Sequence, residues 1–162
     1  MATMLTVDIP GWRSLQLEVL LLDVNGTLTL DGDLLGGVDA GLKALVQVGM
    51  LDVQLVSADT FGRLDNIAAQ LGVRAKRLEA GRPEAAQKAD AVRQLGAERV
   101  VAIGNGANDA EMLGEAALGI AIVGPEGVAA GALAAADVVV LSINDALGLL
   151  RNPKRLIATL RR

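Results

Sequence analysis

The chain moves between two rhythms of apolar and polar positions, and the change of rhythm predicts its elements. Residues 4–9 alternate loosely and stop at Pro10-Gly11, a turn signal. Residues 15–22 form a second extended run, so the two predict an N-terminal β-hairpin whose second strand continues into the core. Residues 28–35 hold Asp31-Gly32 between short apolar segments, which predicts a small flap hairpin. From there the spacing becomes helical. Val38, Leu42, Leu45 and Val46 mark one helix, Leu64, Ile67, Ala68 and Leu71 a second, and Ala85, Ala89, Val92 and Leu95 a third with Pro83 near its start. Between and after them lie strands over 51–56, 73–78, 100–103, 118–123 and 138–141. Helices are predicted from Asp109, over 128–133, over 144–150 and over 152–160, the last with Asn152 as cap and Pro153 as first residue.

Strands that are apolar throughout, alternating with helices, imply a parallel sheet covered on both faces. The expected architecture is therefore α/β: a three-layer, Rossmann-like parallel sheet with helices on both faces, an N-terminal hairpin and a flap. Ligands of such sheets sit beyond the carboxyl ends of the strands. Asp23, Ser57 and Asn105 each fall at or just past such an end, which groups them before any chemistry is considered.

Composition narrows the chemistry. A chain of 162 residues fits one domain, residues 1–162, with a sizeable core, and with 1% aromatics that core must be built from Ala, Val, Leu and Ile. There are no cysteines and no histidines, so disulfides, thiolate metal sites and imidazole catalysis are excluded. Acid–base or metal chemistry must fall to Asp, Glu, Lys and backbone groups. A net charge of −4 argues against a nucleic-acid partner. No basic leader precedes an apolar segment, and no apolar run is long enough to span a bilayer, so no membrane association is expected and the cytoplasm is the expected location.

Four positions carry the candidate chemistry. Asp23 follows Leu20-Leu21-Leu22, where a carboxylate is unfavourable unless paired or used. Asn25-Gly26 next to it also reads as an ordinary hairpin turn. Ser57 closes the run 53–56 and, taken alone, reads first as a helix cap or turn serine, with Thr60 a second hydroxyl in the same segment. Lys88 lies beside the apolar face of its helix, either snorkelling past the core edge or aimed at a buried anion. Lys76 is a weaker rival on a more polar segment. Gly104-Asn105-Gly106-Ala107-Asn108-Asp109 is a glycine-rich strand-to-helix turn.

Asp23-Val24-Asn25-Gly26-Thr27-Leu28-Thr29 resembles the first motif of the haloacid dehalogenase-like (HAD) superfamily, Asp-x-Asp-Gly-Thr-(Leu/Val)-Thr, departing only at Asn25. Ser57, Lys88 and the segment 104–109 match the second, third and fourth motifs in order, the last departing only at Asn105. The likeness runs over about 15–150. It is greatest to small soluble proteins similar to the catalytic portion of P-type ATPases, with the gaps between motifs too short for a cap domain. The resemblance implies a magnesium-dependent phosphatase. Asp23 would be the nucleophile, forming an aspartyl phosphate, and Ser57 and Lys88 would contact the phosphoryl group. Gly26, Thr27, Ala58 and Asn108 would surround the same group. The metal, Mg2+, would take Asp23, the carbonyl of Asn25, Asn105 and Asp109.

Asn25 stands where the family keeps its general acid, whose loss lowers rates by about two to four orders of magnitude. Asn105 removes a carboxylate beside the metal. Slow turnover or an accumulating phosphoenzyme is expected, with a phosphate-binding or assembly module as the alternative. Without a cap the site is open. It would take a phosphorylated small molecule or a macromolecular phosphate, or be closed by the neighbouring subunit of a homo-oligomer. Arg74, Lys76, Arg77 and Arg82 read as a solvated face that could flank the site, and Leu156, Ile157 and Leu160 as core packing.

Overall fold

The computed structural model describes residues 4–162. Strands β1 (Leu5–Ile9) and β2 (Arg13–Leu17) pair antiparallel as the N-terminal hairpin. The extended run does not continue into the core as one strand. It breaks at Glu18, and β3 (Val19–Asp23) belongs to a different sheet. The cause is tertiary: Glu18 donates its N–H to Arg99 and accepts at its carbonyl from Asp52, so its backbone is claimed by two neighbouring segments.

Six parallel strands form the central sheet. They are β3, β6 (Asp52–Ser57), β7 (Arg74–Arg77), β8 (Val100–Gly104), β9 (Leu118–Ile122) and β10 (Val138–Val140), in the order β10-β9-β8-β3-β6-β7. The flap is β4 (Thr29–Leu30) paired with β5 (Asp33–Leu34). Helices α1 (Val38–Gln47), α2 (Leu64–Leu71), α6 (Ile143–Arg151) and α7 (Lys154–Leu160) supply one covering layer, and α3 (Glu84–Leu95), α4 (Ala110–Glu115) and α5 (Ala130–Ala135) the other. No helix among the described residues is long and apolar enough to cross a membrane.

The period-two alternation of β3 explains both layers at once. Leu20 and Leu22 pack with Val38, Leu42, Ile67 and Leu147 on one face, while Val19 and Leu21 pack with Ala91, Val92, Met112 and Leu113 on the other. The second face is rich in alanine, as a core nearly free of aromatics requires. Asp23 continues the parity of Val19 and Leu21, so its side chain is directed to the face that α3 covers. Asn152 does not cap α7. Its side-chain amide donates to the Gly148 carbonyl at 2.9 Å and closes the end of α6 instead. Leu156 is buried, with Ile157 and Leu160 packed against the same core.

The order of the strands places the site. From β3 the chain winds outward through β6 to β7, then returns by α3 to β8 on the other side of β3. The direction of winding therefore reverses between β3 and β8, and a crevice opens there at the carboxyl ends of the strands.

Candidate active site

The crevice is an open cleft of about 220 Å³ lined by Asp23, Asn25, Ser57, Ala58, Thr60, Glu84, Lys88, Asn105, Gly106 and Asn108. Its floor is ionic. Lys88, only 1% exposed, reaches across from α3 and donates from Nζ to Asp23 Oδ1 at 2.7 Å and to Asp109 Oδ1 at 2.8 Å. The lysine therefore does not snorkel: its ammonium ends on two buried anions. Lys76, its rival, lies exposed on β7 and donates to Gln94.

Each carboxylate is held from a second side. Thr27 is fully buried and its hydroxyl points to Asp23 Oδ2 at 3.0 Å, with Asn105 Oδ1 at 3.3 Å. This places Thr27 behind Asp23 and away from the cleft wall. Asp109 Oδ2 accepts the backbone N–H groups of Asn105 and Gly106 at 3.0 and 2.9 Å. The fold-back of Asp109 under its own loop needs a glycine at 104, where a Cβ would stand 2.5 Å from Asp109 Cγ.

One ammonium between two buried carboxylates leaves a net negative charge in a dry place. Burial, reinforced by the Asp109 charge and only partly opposed by Lys88, raises Asp23 from 3.8 to about 6. Burial alone would push the Lys88 ammonium down, but the charges of Asp23 and Asp109 outweigh it and hold the group above its ordinary value. The surplus negative charge and the hard oxygen donors suit a magnesium ion, which needs only one or two carboxylates when water and substrate oxygens complete its shell. Nowhere among the described residues do three or more His, Cys, Asp or Glu side chains gather around a common point, so a metal here would rely on Asp23, Asp109 and neutral oxygens. The Asn25 carbonyl fits that role, because no hydrogen bond from the described residues reaches it.

Asn105 lines the cleft and also joins three loops. Its side-chain oxygen shares the single Thr27 hydroxyl proton with Asp23, its amide donates to the Gly127 carbonyl at 3.2 Å, and its own carbonyl accepts from Ala129 at 2.8 Å. It ties the loop after β3, the loop after β8 and the loop after β9 together. An aspartate could not donate to Gly127. Ser57 is buried and its Oγ accepts the Asp59 N–H at 2.9 Å, which leaves its own proton to donate into the cleft. Thr60 lies on the same wall.

Residues 2–117 match the family model of haloacid dehalogenase-like hydrolases. The chain belongs to that family. An uncharacterized protein of Methanocaldococcus jannaschii is 48% identical over 64 residues, 40% of this chain and 69% of that protein. Among solved structures, the 3-deoxy-D-manno-octulosonate 8-phosphate phosphatase of Moraxella catarrhalis superposes with a TM-score of 0.65 at 20% identity, covering 90% of this chain and 94% of that one. A zinc-transporting PIB-type ATPase gives a TM-score of 0.62 at 28% identity, covering 78% of this chain but 20% of the ATPase. The HAD fold thus accounts for the six-stranded sheet and for the order in which the motif residues meet.

Two carboxylates near the cleft escaped the reading of the motifs. Glu84 lines it, on the first turn of α3, and accepts from Asn108 Nδ2 at 2.6 Å. The signal was its position one helical turn before Lys88. Glu126 stands beside Gly26, where a Cβ would lie 2.2 Å from its Oε2. A lone glutamate in a Gly-Pro-Glu-Gly loop gives no such signal. The basic residues of 74–82 stay outside the cleft wall. Arg74 pairs with Asp52, Arg77 with Asp59 and Asp65, and Arg82 with Glu79.

Proposed function

We propose that this HAD-family chain is a slow or specialised magnesium-dependent phosphohydrolase that works through an aspartyl phosphate on Asp23. The observation that carries the reading is the fixed carboxylate at the cleft floor, gripped by Lys88 at 2.7 Å and Thr27 at 3.0 Å. A group with a pKa of about 6 is ionised at neutral pH yet keeps more nucleophilicity than an ordinary aspartate.

A phosphate monoester enters the open cleft with its phosphoryl group toward Asp23. An Asp23 oxygen attacks phosphorus, the bond to the ester oxygen breaks, and water then splits the acyl phosphate to regenerate the carboxylate. Lys88 holds the nucleophile in place and balances phosphoryl charge, while the Ser57 hydroxyl and the Asn108 amide orient the phosphoryl oxygens. Mg2+ bound by Asp23, Asp109 and the Asn25 carbonyl would neutralise the phosphoryl oxygens. Asn25 cannot give or take a proton, which supports slow turnover. It also supports a second reading, a phosphate-binding or assembly module that retains the fold without useful turnover. The substrate is a phosphorylated small molecule or a macromolecular phosphate, and the cytoplasm is the compartment where such esters abound. A homo-oligomer would close the capless site.

The test is incubation with p-nitrophenyl phosphate and magnesium, comparing the parent with Asp23→Asn. The expected result is an acid-stable phosphoenzyme and p-nitrophenolate release in the parent alone. Equal background rates and no phosphoenzyme would leave the binding-module reading.

A further inference from the structure

We propose that Glu84 is the proton-transfer residue of this site, serving the leaving oxygen in the first half-reaction and water in the second. The inference rests on the phosphohydrolase reading above and names a residue that the motifs do not.

The cleft wall holds few groups able to exchange a proton. The chain has no histidine and no cysteine. Asn25, Asn105 and Asn108 contribute amides, Ser57 and Thr60 alcohols, and Ala58 and Gly106 nothing ionisable. Asp23 is committed as nucleophile, and Lys88 is enclosed between Asp23 and Asp109. Glu84 is the remaining ionisable side chain on the wall; Glu126, near the Gly26 backbone, is not among the lining residues. It is exposed, makes no ion pair among the described residues, and sits on the first turn of a twelve-residue helix, one turn before the lysine that grips the nucleophile. Asn108, from the loop after β8, donates to Oε2 at 2.6 Å and fixes the carboxylate over the cleft. Its other oxygen takes no hydrogen bond from any described residue and is available to a ligand. The first turn of α3 and the 107–109 turn thus present a carboxylate on a held arm, at the mouth of a cleft whose floor carries the nucleophile.

The two steps balance. Asp23 attacks phosphorus, the P–O ester bond breaks, and the departing alkoxide takes a proton that Glu84, exposed at the cleft mouth, has drawn from solvent. Water then attacks phosphorus while Glu84, now a carboxylate, takes a water proton. The bond from phosphorus to Asp23 breaks, inorganic phosphate leaves, and Glu84 is again protonated. In an in-line path the leaving oxygen and the attacking water occupy the same side of phosphorus, opposite Asp23, so one group can serve both.

Glu84→Gln tests this, because a glutamine oxygen still accepts from Asn108. Two substrates are compared with magnesium: p-nitrophenyl phosphate, whose leaving group needs no proton, and glycerol phosphate, whose alkoxide does. The variant should form phosphoenzyme from the aryl ester at near the parental rate. Decay of that phosphoenzyme and turnover of the alkyl ester should each fall about 100-fold. Adding Asn25→Asp, which places a carboxylate on the same wall, should recover part of the loss. A parental decay rate in Glu84→Gln, or an equal fall in formation and decay, overturns the assignment of Glu84 alone. A parent that forms no phosphoenzyme overturns the underlying reading and this proposal with it.

Discussion

The Lys88 ammonium lies 2.7 Å from one Asp23 oxygen and yet Asp23 titrates higher than an ordinary aspartate, at about 6 where 3.8 is usual. One cation cannot satisfy two buried carboxylates, and the site is built with that surplus.

Stability should therefore depend on pH in a direction opposite to that of a salt-bridged aspartate. Between about pH 4 and 6 the folded chain holds a proton on Asp23 that the unfolded chain has released, so stability falls as pH rises through this window. The loss is on the order of 2–3 kcal/mol and is complete above pH 6. Thermal melts in chelator at pH 4.5 and 7 should show the parent losing stability. Asp23→Asn should flatten the profile and melt higher than the parent at pH 7 while losing all phosphoenzyme formation. A parent with the same Tm at both values would contradict the arrangement.

Lys88→Met removes the cation that pairs with both Asp23 and Asp109. Truncating one partner of a buried ion pair destabilises by about 3–5 kcal/mol. Urea unfolding should give a midpoint shift of that size, and the double variant Asp23→Asn with Lys88→Met should recover a clear part of it. An additive double variant would mean that the two residues are not coupled.

Asn105→Asp deletes the donor to Gly127 and adds a carboxylate beside Asp23. In chelator the variant should lose about 2 kcal/mol from the unsatisfied carbonyl and charge crowding. Its melting temperature should then rise more on adding magnesium than the parent's does, because a third carboxylate strengthens the metal site. Equal magnesium shifts in the two proteins would show that Asn105 does not face the ion.

Gly104→Ala pushes a methyl group to within 2.5 Å of Asp109 Cγ. The carboxylate must leave its place under the loop, losing the N–H groups of Asn105 and Gly106. The magnesium-induced melting shift should disappear in this variant, measured by scanning fluorimetry. A retained shift would mean that Asp109 is not needed for the metal.

Much of this was legible in the sequence. Leu20–Leu22, Val53–Val56 and Val100–Ile103 are apolar almost without interruption, which is what strands buried on both faces demand, and the motif residues sit at their carboxyl ends. The break at Glu18 was not legible, because nothing but that one residue interrupts the extended pattern from Leu15 to Leu22 and the cause lies in Arg99 and Asp52. Asn152 matched the preference for a helix start, but the end of α6 took it first. The loop-joining bonds of Asn105 to Thr27 and Gly127 were not legible, since they join segments 78 and 22 residues away. Glu84 carried a faint signal, one turn before Lys88, but its partner Asn108 lies 24 residues on and was not legible.

The grip of Lys88 on Asp23 spans 65 residues of chain. No N-terminal portion ending before α3 can contain a working centre, however well its hairpins and first strands form, and contacts closing so large a loop arrive late in folding. Competence during refolding should therefore trail the formation of β3 and β6, so that the chemistry itself reports when the two halves of the sheet have zipped together.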